Sequence, residues 1–177
     1  MERGQIDHVD LTVSNVETSE RFYRVFLGYL GFQPVRLVHG NSDLRIFQRA
    51  HRNKRLFSVA LQGAKPARRG VKHDRYSPGL HHIAFRASSR ADVDGLHEHL
   101  KTIGAHVLDP PAEYPHYAPG YYAVFFADPD GLKLEVVHMP RPPAVFAQKS
   151  RPTRRSSRPR PRSSSREYAA ARRGRGA

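Results

Sequence analysis

Two histidines and one glutamate stand where the chain could bind a metal ion. His8 lies 23 residues before Gly31, and His82 lies 22 residues before Gly104. Both histidines belong to short segments in which polar and apolar residues alternate, a pattern typical of a β-strand with one buried face. Glu135 lies in a further apolar segment late in the chain. Two imidazoles and one carboxylate that leave other positions open can hold a divalent metal together with a substrate or O₂.

The matched spacing reflects a repeat. Each half of the chain predicts a strand, a helix that ends at glycine, and two or three further strands, so we expect two tandem β-α-β-β-β modules and an α+β fold. The expected modules are residues 5–62 and 79–140, joined by a polar, basic linker at residues 63–78, and together they form one domain at 5–140. The two histidines are then equivalent, and we take Ser58 as the counterpart of Glu135.

Side-chain alternation assigns the three candidate ligands to one kind of surface. In each first strand the apolar residues form one face, which places His8 and His82 on the other. The turn sequence Asp-Pro-Asp-Gly at residues 128–131 predicts a hairpin that sets Phe125 opposite Glu135. Glu135 should therefore also face away from the helices. If the two sheets curve toward each other, the three side chains meet in a cup.

The helix boundaries carry signals of their own. Ser14 with Glu17 three residues later is typical of a capping box, and Gly31 is expected to end the first helix. In the second half Ser89 is the expected N-cap, and Gly104 is the expected stop.

A tyrosine-rich loop precedes the strand that pairs with the Glu135 strand. It contains His116, Tyr117 and Tyr121, and we predict that all three contact a substrate at the mouth of the cup. Alternation places Tyr121 on the same face as Glu135, so its hydroxyl could orient or protonate a substrate oxygen. Glu135 and Tyr121 are therefore the predicted catalytic residues.

The positive charge is concentrated at one end of the chain. The formal net charge is +14, and residues 146–177 contain eleven Lys and Arg but only one Glu. This segment is rich in Arg, Pro and Ser and has few residues to bury, so we predict a disordered tail. Arg-rich tails bind nucleic acids non-specifically through phosphates. A tail without any partner is the alternative.

The composition also excludes some classes of protein. The chain has no cysteine, so disulfides and thiolate metal sites are excluded. No apolar run is long enough to cross a bilayer, so no membrane partner is expected. From Glu2 onward the N-terminus is polar and lacks a secretory signal pattern, which predicts a cytoplasmic location.

Four motifs in the same order resemble the vicinal oxygen chelate superfamily, which includes glyoxalase I, fosfomycin-resistance proteins, bleomycin-resistance proteins and extradiol dioxygenases. The motifs are IDHVDLTV at 6–13, LGF at 30–32, GLHHIAF at 79–85 and DPDGLKLE at 128–135. The resemblance covers about Gln5 to His138. It implies a cup-shaped mixed sheet around one divalent metal, with His8, His82 and Glu135 as its ligands.

The resemblance also implies a function. A metal ion (Fe, Mn, Ni or Zn) would act as a Lewis acid on a small oxygenated substrate, with lyase or isomerase chemistry of the glyoxalase type favoured. The serine at position 58 favours a subtype with three protein ligands. An Fe(II) extradiol-type dioxygenase is one alternative, and a protein that sequesters an antibiotic or metabolite without turnover is another. The cup forms within one chain or across a homodimer in this family, and the sequence leaves both open.

Overall fold

The chain folds into two copies of one unit. The structure is a computed structural model that describes residues 5–35, 44–51 and 54–140, so the predicted basic tail at 146–177 lies outside the described residues. The elements are β1 (His8–Val13), α1 (Val16–Tyr29), β2 (Gln33–Val35), β3 (Leu44–His51), β4 (Lys54–Gly63), a 3₁₀ turn (Pro66–Arg68), β5 (Ile83–Arg86), α2 (Arg90–Thr102), β6 (His106–Glu113), β7 (Tyr122–Ala127) and β8 (Lys133–His138). This order confirms the tandem β-α-β-β-β modules.

Each module contributes one mixed, four-stranded sheet. The strand orders are β1-β4-β3-β2 and β5-β8-β7-β6. The β1–β4 and β5–β8 pairs are parallel, and the other pairs are antiparallel. In the described part of the chain β1 and β5 are therefore edge strands, each hydrogen-bonded to a neighbouring strand on one side only.

The helices join the two modules through a shared apolar core. Phe26 of α1 packs edge-to-face against two rings of the second module, with centroid distances of 5.1 Å to Phe126 and 5.2 Å to Phe85. Because this core lies on the helix side of both sheets, the opposite side of each sheet is turned away from it. We call that opposite side the cup face. Neither helix in the described ranges is long and apolar enough to cross a membrane.

The predicted start of α1 is wrong, whereas that of α2 is confirmed. Asn15 rather than Ser14 caps α1, and its side-chain oxygen accepts from the Thr18 amide at 2.8 Å. In α2 the Ser89 side chain accepts from the Asp92 amide at 3.1 Å, and the Asp92 carboxylate accepts from the Ser89 amide. Both helices end before a glycine of positive φ, as predicted.

Ser14 has a different role, which explains the incorrect prediction. Its amide donates to Asp130 Oδ2 at 2.8 Å, and its hydroxyl accepts from the Gly70 amide at 2.9 Å. These contacts fasten the end of β1 to the β7–β8 hairpin and to the linker. Both partners are distant in sequence, so a local capping rule does not include them.

The β7–β8 hairpin is fastened to α1 by a buried hydrogen bond. The Tyr23 hydroxyl, which has no exposed surface, donates to Asp128 Oδ2 at 2.9 Å. The other carboxylate oxygen accepts from the amides of Asp130 and Leu132 at 2.9 and 2.8 Å. Burial raises the pKa of Asp128, and burial beside this carboxyl group raises the pKa of Tyr23. Asp128 thus closes the turn and also joins the two modules.

Replacing Tyr23 by Phe should lower the free energy of unfolding by about 1–3 kcal/mol, because it leaves a buried carboxylate oxygen without its donor. Equilibrium urea unfolding measures this change. Tyr76→Phe is the control, since Tyr76 is 78% exposed. Removal of its hydroxyl should change the free energy of unfolding by less than about 0.5 kcal/mol. Equal stability of Tyr23→Phe and wild type would show that the contact between α1 and the hairpin is not energetically important.

Candidate functional site

The β7–β8 register places Glu135 as the turn sequence predicts. Phe125 pairs with Glu135, and the Asp128 amide donates to the Leu132 carbonyl at 3.0 Å. Leu134, which neighbours Glu135, is buried in the core on the helix side. Glu135 is therefore on the cup face of the second sheet.

Glu135 is almost completely buried. Only 2% of its surface is exposed, and two side chains contact its carboxylate. The Tyr121 hydroxyl donates to Oε1, and His82 Nε2 lies 3.2 Å from Oε2. A carboxylate buried without partners would be strongly destabilising, so these two contacts make its position tenable. The structure thus brings together three of the residues singled out from the sequence.

The phenol of Tyr121 is held in its protonated form. Burial, together with the hydrogen bond to Glu135, raises the pKa of Tyr121 above its ordinary value. At neutral pH Tyr121 is therefore a hydrogen-bond donor toward the carboxylate. It is also a group that could donate to a substrate oxygen.

His116 and Tyr117 belong to an aromatic cluster around Tyr121. The Tyr117 ring lies 5.2 Å from the Tyr121 ring and 4.2 Å from the His116 ring. Sequence reasoning missed Tyr114, whose ring lies 6.4 Å from Tyr121 and 5.2 Å from Phe125. Its amide donates to the Tyr121 carbonyl at 2.8 Å. The cluster forms an aromatic wall beside Glu135.

His81 also contacts this group of residues, although the alternation of side chains along a β-strand would place it on the face opposite to His82. Strand β5 begins at Ile83, so the alternation does not extend to the two histidines. His81 Nδ1 lies 2.7 Å from His82 Nδ1. Desolvation, followed by the charges of His82 and Arg75, lowers the pKa of His81. With its hydrogen on Nε2, His82 donates to Glu135 Oε2; in the other tautomer, whose Nδ1–H donates to His81, Nε2 keeps the lone pair that a metal ligand requires.

His8 does not join this group within the chain. Its side chain is 57% exposed, and its Nδ1 lies 3.0 Å from Asp7 Oδ1. Among the residues that the structure describes, no three His, Asp or Glu side chains lie close enough together to hold a metal ion. The chain therefore brings together two of the three predicted ligands, His82 and Glu135.

The equivalence of Ser58 and Glu135 is wrong. His8 pairs directly with Ser58 in the β1–β4 register. The position two residues after His8 pairs with Ala60, and the position two residues after His82 pairs with Glu135. Ala60 is thus the counterpart of Glu135, and its side chain offers no ligand atom. The first module therefore supplies no ligand at the position that corresponds to Glu135.

Comparisons with known proteins agree with this fold. A sequence model of the Glyoxalase/Bleomycin resistance protein/Dioxygenase superfamily matches residues 5–136. The chain belongs to this superfamily. It is 34% identical to the uncharacterised protein YqjT of Bacillus subtilis over 130 residues, which is 73% of this chain and 95% of YqjT.

Solved structures of the superfamily share the architecture. A candidate glyoxalase from Bacillus halodurans is 27% identical, with a TM-score of 0.63 over 77% of this chain and 97% of that one. A glyoxylase/bleomycin resistance protein/dioxygenase domain from Frankia sp. EAN1pec is 25% identical, with a TM-score of 0.59 over 77% and 98% of the two chains. These likenesses extend over both modules.

The paired side chains of this superfamily member fit a divalent metal. Ligand atoms bound to one metal at about 2.1 Å lie roughly 3.0–3.4 Å apart. His82 Nε2 and Glu135 Oε2 are 3.2 Å apart, and among the described residues no Lys or Arg forms an ion pair with this carboxylate. An imidazole and a carboxylate are ligands that Zn, Mn, Fe and Ni all accept.

Tyr121→Phe should reveal the contact with Glu135 through its dependence on pH. Since the folded-state pKa of Tyr121 lies above 10.0, the phenol stabilises the fold fully below pH 10. As pH rises above 10, the phenol ionises in the unfolded state. The difference in unfolding free energy between wild type and variant should then fall by at most about 1.4 kcal/mol per pH unit, and by less where solvent screens the contact. Equilibrium unfolding from pH 7 to 11 measures this difference.

Tyr117→Phe provides the matched control, because Tyr117 is 58% exposed and has no hydrogen bond to Glu135. The stability difference measured for Tyr121→Phe should depend on pH more steeply above pH 10 than the difference measured for this control. The proposed contact would be refuted by a Tyr121→Phe profile that follows the control.

Proposed function

We propose that the protein is a metal-dependent enzyme of the glyoxalase/dioxygenase type, with one divalent metal held by His82 and Glu135 of one copy and His8 of a second copy. A small oxygenated substrate binds beside Tyr121, and lyase or isomerase chemistry is favoured. The observation that carries the proposal is the buried Glu135 carboxylate, which is paired with His82 Nε2 on the cup face of a superfamily member.

Completion of the site by a second copy is supported by the first module. The cup-face residues of β1, namely His8, Asp10 and Thr12, are all exposed. Strand β1 is an edge strand, and so is β5, the strand next to His82. In a two-fold dimer each β1 would approach the β5 of the other copy, and each copy would give and receive one histidine.

The side chains have distinct roles in this proposal. When bound, the metal supplies Lewis-acid stabilisation to an oxyanion of the substrate. Tyr121, kept protonated by its surroundings, positions Glu135 through its single O–H, and it donates to a substrate oxygen when that O–H turns away from the carboxylate. Tyr117 and His116 contact the substrate, and Tyr114 supports them by packing against Phe125. The aromatic wall limits the access of water.

Purified wild-type protein should contain about one divalent metal ion per chain, and Glu135→Gln and His8→Gln should each contain almost none, because each loses a ligand. Elemental analysis after reconstitution measures the content. His99→Gln is the control, since His99 is exposed on α2, where its ring contacts the Gly95 carbonyl and the Tyr29 ring rather than the proposed ligands. Equal metal content in all four proteins would exclude the assignment.

A mixing experiment tests where His8 acts. Refolding an equimolar mixture of His8→Gln and Glu135→Gln chains should restore metal binding to about one quarter of the sites, because half of the dimers are mixed and each mixed dimer has one intact site. Metal content with size-exclusion chromatography measures this recovery. A site built within one chain predicts no recovery at all, because every chain lacks a ligand.

The metal identity then separates the reactions. Iron would favour cleavage of a ring by O₂, the extradiol-type alternative, whereas nickel or zinc would favour lyase or isomerase chemistry. Absence of metal after reconstitution with all four ions would favour the alternative of a protein that sequesters a metabolite without turnover.

A further inference from the structure

The linker after β4 is fastened to the β7–β8 hairpin and so closes a cavity. The Lys72 ammonium donates to the Pro129 carbonyl at 2.7 Å, and the His73 amide donates to the Asp130 carbonyl at 2.8 Å. Gly131 has a φ of +89°, a conformation that glycine adopts without strain. The segment that follows lines a cavity of about 370 Å³ together with the start of β6 and of β8.

Four of the nine residues that line the cavity have basic side chains. They are His73, Arg75, His106 and Lys133. The one carboxylate, Asp74, accepts from the Tyr76 amide at 2.9 Å and the Ser77 hydroxyl at 2.8 Å, so it is bound to its own turn. The cavity therefore has an excess of hydrogen-bond donors and positive charge.

Neither permanent cation in this cavity is paired with an acid. Lys133 Nζ lies 3.9 Å from the centroid of the Phe125 ring, and Arg75 donates to the Tyr76 hydroxyl at 2.7 Å. Within the described ranges neither side chain forms an ion pair. Two cations that line one cavity without a counter-ion repel each other, so both would favour an anion bound between them.

The cavity adjoins the proposed metal ligands. Lys133 precedes Glu135 by two residues in β8 and lies on the same cup face. The β5–β8 register begins with Ile83 opposite Leu134, and His82 and Lys133 immediately precede these two residues. Across the sheet Lys133 pairs with Ala127, which pairs with His106. A molecule in the cavity would therefore lie next to the His82–Glu135 pair.

We propose that this cavity is an oxyanion-binding subsite, and that the substrates of the enzyme carry a phosphate, phosphonate or carboxylate group held by Lys133 and Arg75. The location of the subsite beside the metal ligands rests on the proposed function, whereas the binding of the anion itself does not. Volumes of 300–1,000 Å³ are typical of small-molecule sites, so the anionic group of a small metabolite fits.

Phenylphosphonate is a suitable probe, because its ring can contact the aromatic wall while its dianion enters the cavity. The full-length, metal-free protein should bind it saturably in isothermal titration calorimetry, and benzyl alcohol, which lacks the charge, should bind more weakly. Lys133→Gln and Arg75→Gln should each weaken binding about tenfold, because each removes a charged hydrogen bond.

Lys101→Gln is the matched control. Lys101 is exposed on α2, where it pairs with Glu98, and the basic residues 146–177 are present in every variant. Lys101→Gln should bind phenylphosphonate as wild type does. Absence of saturable binding to wild type, or equal affinities of Lys133→Gln, Arg75→Gln and Lys101→Gln, would overturn the subsite.

Metal content separates this result from the proposed function. Lys133→Gln should keep its metal while losing affinity for the phosphonate, which supports both proposals. A protein that binds phenylphosphonate but no metal would keep the subsite and refute the metal enzyme. A protein that binds metal through Glu135 but no phosphonate would refute the subsite alone.

Discussion

The carboxylate of Glu135 lies in the middle of an apolar strand, and the surrounding site follows from the cost of placing it there. At 2% exposure it has lost nearly all contact with water, so its charge must be compensated by the protein. Tyr121 supplies a donor to one oxygen, and His82 lies against the other. Both partners come from segments outside β8. Any change in strand register would separate them from the carboxylate and leave it unpaired.

The features that the sequence predicts correctly are those controlled by neighbouring residues. The Asp-Pro-Asp-Gly turn determines how β7 and β8 pair, and this pairing alone places Glu135 on the cup face. The glycines that end the helices and the cap at Ser89 likewise depend on contacts within a few residues. The order of the elements and the face of the strand residues around Glu135 could therefore be derived from the sequence. The cluster of Tyr121 with His116 and Tyr117 followed from the same reasoning, as all three lie close together in the chain.

The features that the sequence did not predict depend on distant contacts. Ser14 resembles a cap, but its amide and hydroxyl bind residues 116 and 56 positions away, so the cap moves to Asn15. Ser58 was matched to Glu135 by position along an apolar strand, whereas the parallel register with β1 gives that place to Ala60. Sequence reasoning assigned no separate role to Tyr114 and did not bring Arg75 together with Lys133, because these contacts depend on how a loop and a linker lie over the sheet.

The division of the proposed ligands between two copies has a physical rationale. The carboxylate of Glu135 is buried, and its charge is already compensated by Tyr121 and His82 within one chain. The remaining proposed ligand, His8, is exposed on an edge strand, where its imidazole stays in contact with water and costs little. Each chain can therefore fold without a metal and without an unpaired buried charge. Dimer formation would add the third ligand to a pair whose geometry is already fixed, so the metal affinity would depend on assembly rather than on refolding of either chain.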